Sequence, residues 1–130
     1  GSMTPDATLL LSLLFVGHFF GDFTFLSTPR MQEAKRSGRP VGPIALHSLV
    51  HAVFVAIAVG AIARPLPLLL LGAVAIEFWT HLGVDWFRGR LTARHPAIGN
   101  PEESAFWTVL GLDQLAHALV LLGIAYLVLL

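Results

Sequence analysis

Residues 44–63 read Ile-Ala-Leu-His-Ser-Leu-Val-His-Ala-Val-Phe-Val-Ala-Ile-Ala-Val-Gly-Ala-Ile-Ala. A helix crossing a hydrocarbon core about 30 Å thick needs roughly 20 such residues, and no Asp, Glu, Lys or Arg interrupts this stretch. His47 and His51 stand four apart near its start, which places both on one helix face. From Val53 to Ala63 no polar side chain occurs. The stretch therefore predicts a membrane-spanning helix with an ionisable patch at one end.

Three more stretches repeat that pattern, over residues 6–26, 66–87 and 104–130, the last long enough to tilt or to overshoot the bilayer. Prolines sit at the starts of spans, at Pro5, Pro43, Pro65, Pro67 and Pro101, where a missing N–H is harmless. Overall, 55% of the 130 residues are hydrophobic and 12% are charged, with a mean hydropathy of +0.75. Four spans leave only short connections, which exclude a second domain. The expected fold is all-α: an integral membrane antiparallel four-helix bundle forming a single transmembrane domain over residues 1–130. The first span lacks a basic leader and a small-residue cleavage site, so it reads as a retained helix, and Gly1 and Ser2 read as a cloning scar before Met3.

Eight basic and eight acidic residues balance to zero net charge, so nothing points to a nucleic-acid partner. Cysteine is absent, which removes disulfides, thiolate metal ligands and a cysteine nucleophile together. The placement of charge is more informative than its sum. Arg30, Lys35, Arg36 and Arg39 lie in the first connection and Arg88, Arg90 and Arg94 in the third, against Arg64 alone on the other side. Under the positive-inside rule the loops at 27–43 and 88–103 are cytoplasmic and both termini are outside. Trp86 and Trp107 then mark the cytoplasmic interface and Tyr126 the outer one.

Every span carries ionisable residues four apart: His18 and Asp22, His47 and His51, Glu77 with His81 and Asp85, and Asp113 with His117. Inserting one central charge costs roughly 2.5–3.5 kcal/mol, so such groups must satisfy one another. At a rise of about 1.5 Å per residue, all nine fall between the cytoplasmic end and the midplane, and Asp113 and His117 lie roughly 14–20 Å deep. They can form one site. Its imidazoles and carboxylates, without sulfur, suit zinc, iron or manganese. The four carboxylates sum to minus four, which two divalent ions neutralise; one ion within a wider hydrogen-bonded shell is the alternative. A proton or ion pathway and structural polar packing remain as other readings of the same residues. Gly17 and Gly21, four apart beside His18 and Asp22, allow close helix approach. Gln114 points about 100 degrees away from Asp113 and so toward a neighbouring helix. His95 reads as a solvated loop residue.

These residues resemble a family of small bacterial four-helix membrane proteins, the domain of unknown function 3307 type. The likeness rests on His18-Phe19-Phe20-Gly21-Asp22, His47-Ser48-Leu49-Val50-His51, His81-Leu82-Gly83-Val84-Asp85-Trp86 and Asp113-Gln114-Leu115-Ala116-His117. A more distant similarity to membrane-bound metal-dependent hydrolases implies metal-assisted hydrolysis. The resemblance implies a bacterial inner-membrane location.

The leading functional expectation is a metal-dependent hydrolase holding one or two zinc, iron or manganese ions, which lower the pKa of bound water and polarise an ester or phosphoryl bond. Glu77 or Asp113 serves as general base. The substrate expected at the cytoplasmic side is a lipid, an isoprenoid or another phosphorylated compound, with Arg88, Arg90 and Arg94 available for its anionic head. Alternatives are a di-iron oxidative enzyme, a haem site, and a metal or proton transporter subunit, the last opposed by the apolar outer halves of the helices. The site is complete either within one chain or at the interface of a homodimer.

Overall fold

The computed structural model describes residues 5–130. The scar at Gly1 and Ser2, the start at Met3, and Thr4 lie outside the described residues. Among the described residues, five α-helices and one 3-10 turn account for most positions: α1 (Pro5–Phe23), α2 (Pro29–Ser37), α3 (Val41–Ile62), α4 (Pro67–Arg94), the turn at Pro96–Gly99, and α5 (Ser104–Leu129). Four of them, α1, α3, α4 and α5, are long and apolar enough to cross a membrane.

The expected spans shift at their ends for local reasons. The first stops at Phe23 instead of running to residue 26, giving way to a turn closed by the Ser27 N–H on the Thr24 carbonyl at 2.9 Å. The second begins three residues early at Val41, directly after Pro40. The third continues past Phe87 to Arg94. Apolarity ends near residue 87 but helix propensity does not, and the helix stops only at His95, where the following Pro96 disfavours helical backbone.

Helix α2 lies inside what the sequence reads as a connection. Its ends carry the usual signals. The Thr28 hydroxyl accepts from the Met31 N–H, Pro29 opens the helix, and Gly38 closes it in the left-handed region at φ 79°. Met31 and Ala34 are buried beneath it. A Cβ added to Gly89 of α4 would lie 2.4 Å from the Gly38 nitrogen and 2.6 Å from the Lys35 carbonyl oxygen, so α2 rests backbone to backbone on α4.

The long helices contact one another in a closed circuit, α1 on α3, α3 on α4, α4 on α5 and α5 on α1. At one end lies an apolar cluster including Leu10, Val59, Ala73, Ile124 and Val128. The ionisable residues meet at the other end, late in α1 and α4 but early in α3 and α5. Beside that apolar core, His47, His81, Glu77, His51, Asp85, His117 and Asp113 are buried, whereas Phe19, Ile57, Leu71, Trp79, Leu112, Leu119 and Tyr126 face outward. Trp86 and Trp107 are exposed at the basic end.

Gly89 and Gly83 provide paired tests of this packing. Gly89→Ala is expected to destabilise the protein by about 1–3 kcal/mol, because the obstructing atoms are backbone. Gly83→Ala, whose Cβ meets nothing within 4 Å, is expected to leave the thermal midpoint in detergent unchanged or slightly raised.

Candidate metal centre

Glycine at position 21 makes room for the site. A Cβ there would sit 2.5 Å from the His51 ring, and one at Gly17 would sit 3.0 Å from Phe54, so α3 closes on the glycine face of α1. Asp22, one residue on from Gly21, then meets α3. Its Oδ1 lies 2.9 Å from His47 Nε2 and 2.9 Å from His51 Nε2, with His81 Nε2 at 4.0 Å. His18 Nε2 lies 3.2 Å from Asp22 Oδ2.

The other half of the cluster is built on α4 and α5. Buried residues follow one another along α4 every four positions, at Ala73, Glu77, His81, Asp85 and Gly89. His81 Nε2 is 3.2 Å from Asp85 Oδ2, and His117 Nε2 is 3.4 Å from Asp85 Oδ1 and 3.3 Å from Asp113 Oδ1. The His81 ring stacks on His51 at 3.8 Å and on His117 at 4.1 Å between centroids, joining the two halves. The nine side chains singled out in the sequence thus form one network of polar contacts.

Two groups within the cluster could hold a metal ion: Asp22, His47, His51 and His81, and then His81, Asp85 and His117. The second group has a telling feature. His81 Nε2, Asp85 Oδ2 and His117 Nε2 are buried without hydrogen-bond partners, although His81 and Asp85 approach to 3.2 Å. The atoms are close but not aligned to share hydrogens. Ligands about 2.0–2.1 Å from a tetrahedral ion stand roughly 3.3 Å from each other, a spacing that the 3.2 Å between His81 Nε2 and Asp85 Oδ2 matches. His18 Nδ1, His47 Nδ1 and Asp113 Oδ1 are likewise buried without partners.

Glu77 sits behind His81, with its Oε1 3.1 Å from Nδ1. A carboxylate there holds hydrogen on Nδ1 and leaves the Nε2 lone pair free, the arrangement common behind metal-ligating histidines. Glu77 belongs to neither candidate group. Asp113 accepts from Arg88 Nη1 at 3.0 Å and from Gln114 Nε2 at 3.1 Å.

Two residues join the cluster that sequence analysis assigned elsewhere. Lys35, counted there only for orientation, reaches in from α2, its Nζ 3.3 Å from His47 Nε2 and 3.8 Å from both Asp22 and Asp85. Gln114 Oε1 lies 3.0 Å from His18 Nε2 while its Nε2 donates to Asp113, so Gln114 serves a neighbouring helix and, contrary to the sequence expectation, also turns back to Asp113. The three arginines assigned to a headgroup separate. Arg88 pairs with Asp113, Arg90 donates to the Ser37 carbonyl at 3.3 Å, and Arg94 is exposed on the last turn of α4. His95 is exposed at the end of α4.

A cleft of about 690 Å³ opens above the cluster between α2, α4, the 3-10 turn and the start of α5, with Lys35, Arg36 and Arg88 on its walls and Asp85 at its floor.

The chain belongs to the family described as Protein of unknown function (DUF3307), which matches residues 10–130. No curated protein and no solved structure matches it.

Glu77 offers a test of how the cluster is held. Glu77→Ala leaves buried His81 Nδ1 unpartnered and is expected to cost about 1–3 kcal/mol, whereas Glu77→Gln retains an acceptor and most of the stability. Thermal unfolding of both variants in one detergent separates the two values.

Proposed function

We propose that this member of the DUF3307 family is a membrane-embedded metalloenzyme, an antiparallel four-helix bundle whose basic end faces the cytoplasm and which hydrolyses a phosphorylated or lipid-like substrate there. The observation that carries the metal reading is the buried group His81, Asp85 and His117, which offers one ligand atom each within 4.8 Å of one another and in which His81 Nε2, Asp85 Oδ2 and His117 Nε2 lack hydrogen-bond partners. The outward apolar faces of all four long helices support the bilayer reading, since such a surface is costly to expose to water.

Charge favours a single ion. Asp22, Glu77, Asp85 and Asp113 contribute minus four, Lys35 and Arg88 contribute plus two, and neutral imidazoles leave minus two. The second divalent ion that four carboxylates alone call for is replaced by these two side chains. A low-dielectric site strongly favours the neutral total.

A bound zinc, iron or manganese ion supplies Lewis acidity and a water of lowered pKa. The chain's own residues supply the rest. Asp113 is the proton acceptor, because Arg88 fixes its Oδ2 while its buried Oδ1 makes no aligned hydrogen bond and has His117 Nε2 beside it at 3.3 Å. Glu77 is a positioning residue acting through His81. Lys35 and Arg88 face the cleft and attract an anionic group toward Asp85. The far half of the interior is filled by Leu10, Val59, Leu121 and Ile124, which supports a closed site over a transport path.

Phosphate release from an alkyl phosphate by the purified full chain tests this reading. Turnover is expected to vanish on chelation and return with zinc, iron or manganese. Asp113→Asn is expected to lower kcat by about 10²–10⁴-fold while metal content stays unchanged. Turnover indifferent to chelation contradicts the proposal.

A further inference from the structure

Beside the polar cleft lies a second cavity of different chemistry. It is a groove of about 370 Å³ between the outward faces of α4 and α5, lined by apolar side chains including Val84, Phe87, Leu91, Val109 and Leu112. Phe87 and Leu112 are 62% and 60% exposed, so the groove opens on the face that the other outward apolar residues share. At its inner end stand Arg88 and Asp113, and Gly83 forms part of its wall. A Cβ on Gly83 would meet nothing within 4 Å, so the missing side chain leaves room that no neighbour claims.

Arg88 lines both cavities. Asp85 lines the cleft and Asp113 lines the groove, and His117 Nε2 lies 3.4 Å from the one and 3.3 Å from the other, so the two cavities border neighbouring carboxylates of one cluster. One side is cationic, through Lys35, Arg36 and Arg88, and the other is a hydrocarbon-lined slot. Each volume falls within the ~300–1,000 Å³ range of small-molecule pockets.

We propose that the cleft and the groove form one composite site for a single-chain amphiphile, its anionic phosphate head among Lys35, Arg36 and Arg88 and its hydrocarbon tail between α4 and α5. The head-to-tail junction then passes Arg88 and lies beside Asp85 and Asp113. This deepens the hydrolase reading by naming the substrate class, and it rests on that reading for the outcome of binding but not for binding itself. The tail is a lipid-phase group because the groove opens on the outward apolar face. The head is anionic because cations on the cleft walls outnumber the single carboxylate at its floor.

The test is native mass spectrometry of the full chain released from neutral detergent, after incubation with dodecyl phosphate, inorganic phosphate or dodecanol. Dodecyl phosphate is expected to be retained at one per chain, at least tenfold more than either fragment. Gly83→Leu and Leu112→Trp, which fill the groove at separate points, are each expected to lower its retention about tenfold. Arg36→Gln is expected to lower it several-fold without changing dodecanol retention. Inorganic phosphate retained as well as dodecyl phosphate shows a head site alone and overturns the composite site. Dodecanol retained as well shows an apolar slot alone and overturns it too, as does no retention of any probe. Metal content measured on the same samples keeps the two readings apart. Metal without amphiphile binding removes this inference only, and amphiphile binding without metal removes the metalloenzyme only.

Discussion

Four carboxylates buried among apolar helices repel one another strongly unless cations or hydrogen-bond donors offset them, and most of the local architecture follows from that constraint. Asp22 is approached by two imidazole nitrogens at 2.9 Å. Asp85 is flanked by His81 and His117, and Asp113 is held by Arg88. The spacing of four within each helix supplies partners vertically, and the neighbouring helices supply them laterally. The glycines at 17 and 21 permit the lateral contact by letting α3 close on α1. What protein groups leave without hydrogen-bond partners is a compact set of buried donor atoms, grouped closely enough that they could hold a metal ion.

Helix α2 extends the same logic beyond the apolar segments. Resting on Gly89 through Gly38, it places Lys35 within 4 Å of two carboxylates that belong to different long helices. The same helix forms one wall of the cleft above Asp85. One short polar element thus supplies both a compensating charge to the cluster and a wall of the cleft. Arg88 has the matching role from α4, pairing with Asp113 while lining both the polar cleft and the apolar groove.

Much of this is legible in the sequence because bilayer length and the helical repeat are strong constraints. Residues 44–63 locate α3 almost fully, and the four-spaced pairs identify all nine clustered side chains. Helix α2 is harder to see because its nine residues are polar and too short for periodicity to mark them, although Thr28-Pro29 and Gly38 carry start and stop signals. Lys35 reads as a topogenic charge, since nothing local links it to Asp22 or Asp85, 13 positions before it and 50 after. Arg88, Arg90 and Arg94 look equivalent by composition, yet a helix turn of about 100 degrees per residue sends them to Asp113, to α2 and to the exterior. Glu77 looks like a ligand on the His81 face, but its contact is with the nitrogen on the far side of the ring.

The most direct measurement is metal content by inductively coupled plasma mass spectrometry on detergent-purified protein never exposed to chelator or nickel resin, beside a variant carrying both His81→Ala and Asp85→Ala. One equivalent of zinc, iron or manganese per chain, lost in the variant, is the predicted result. Stoichiometric metal in neither protein, or metal retained undiminished in the variant, contradicts the account.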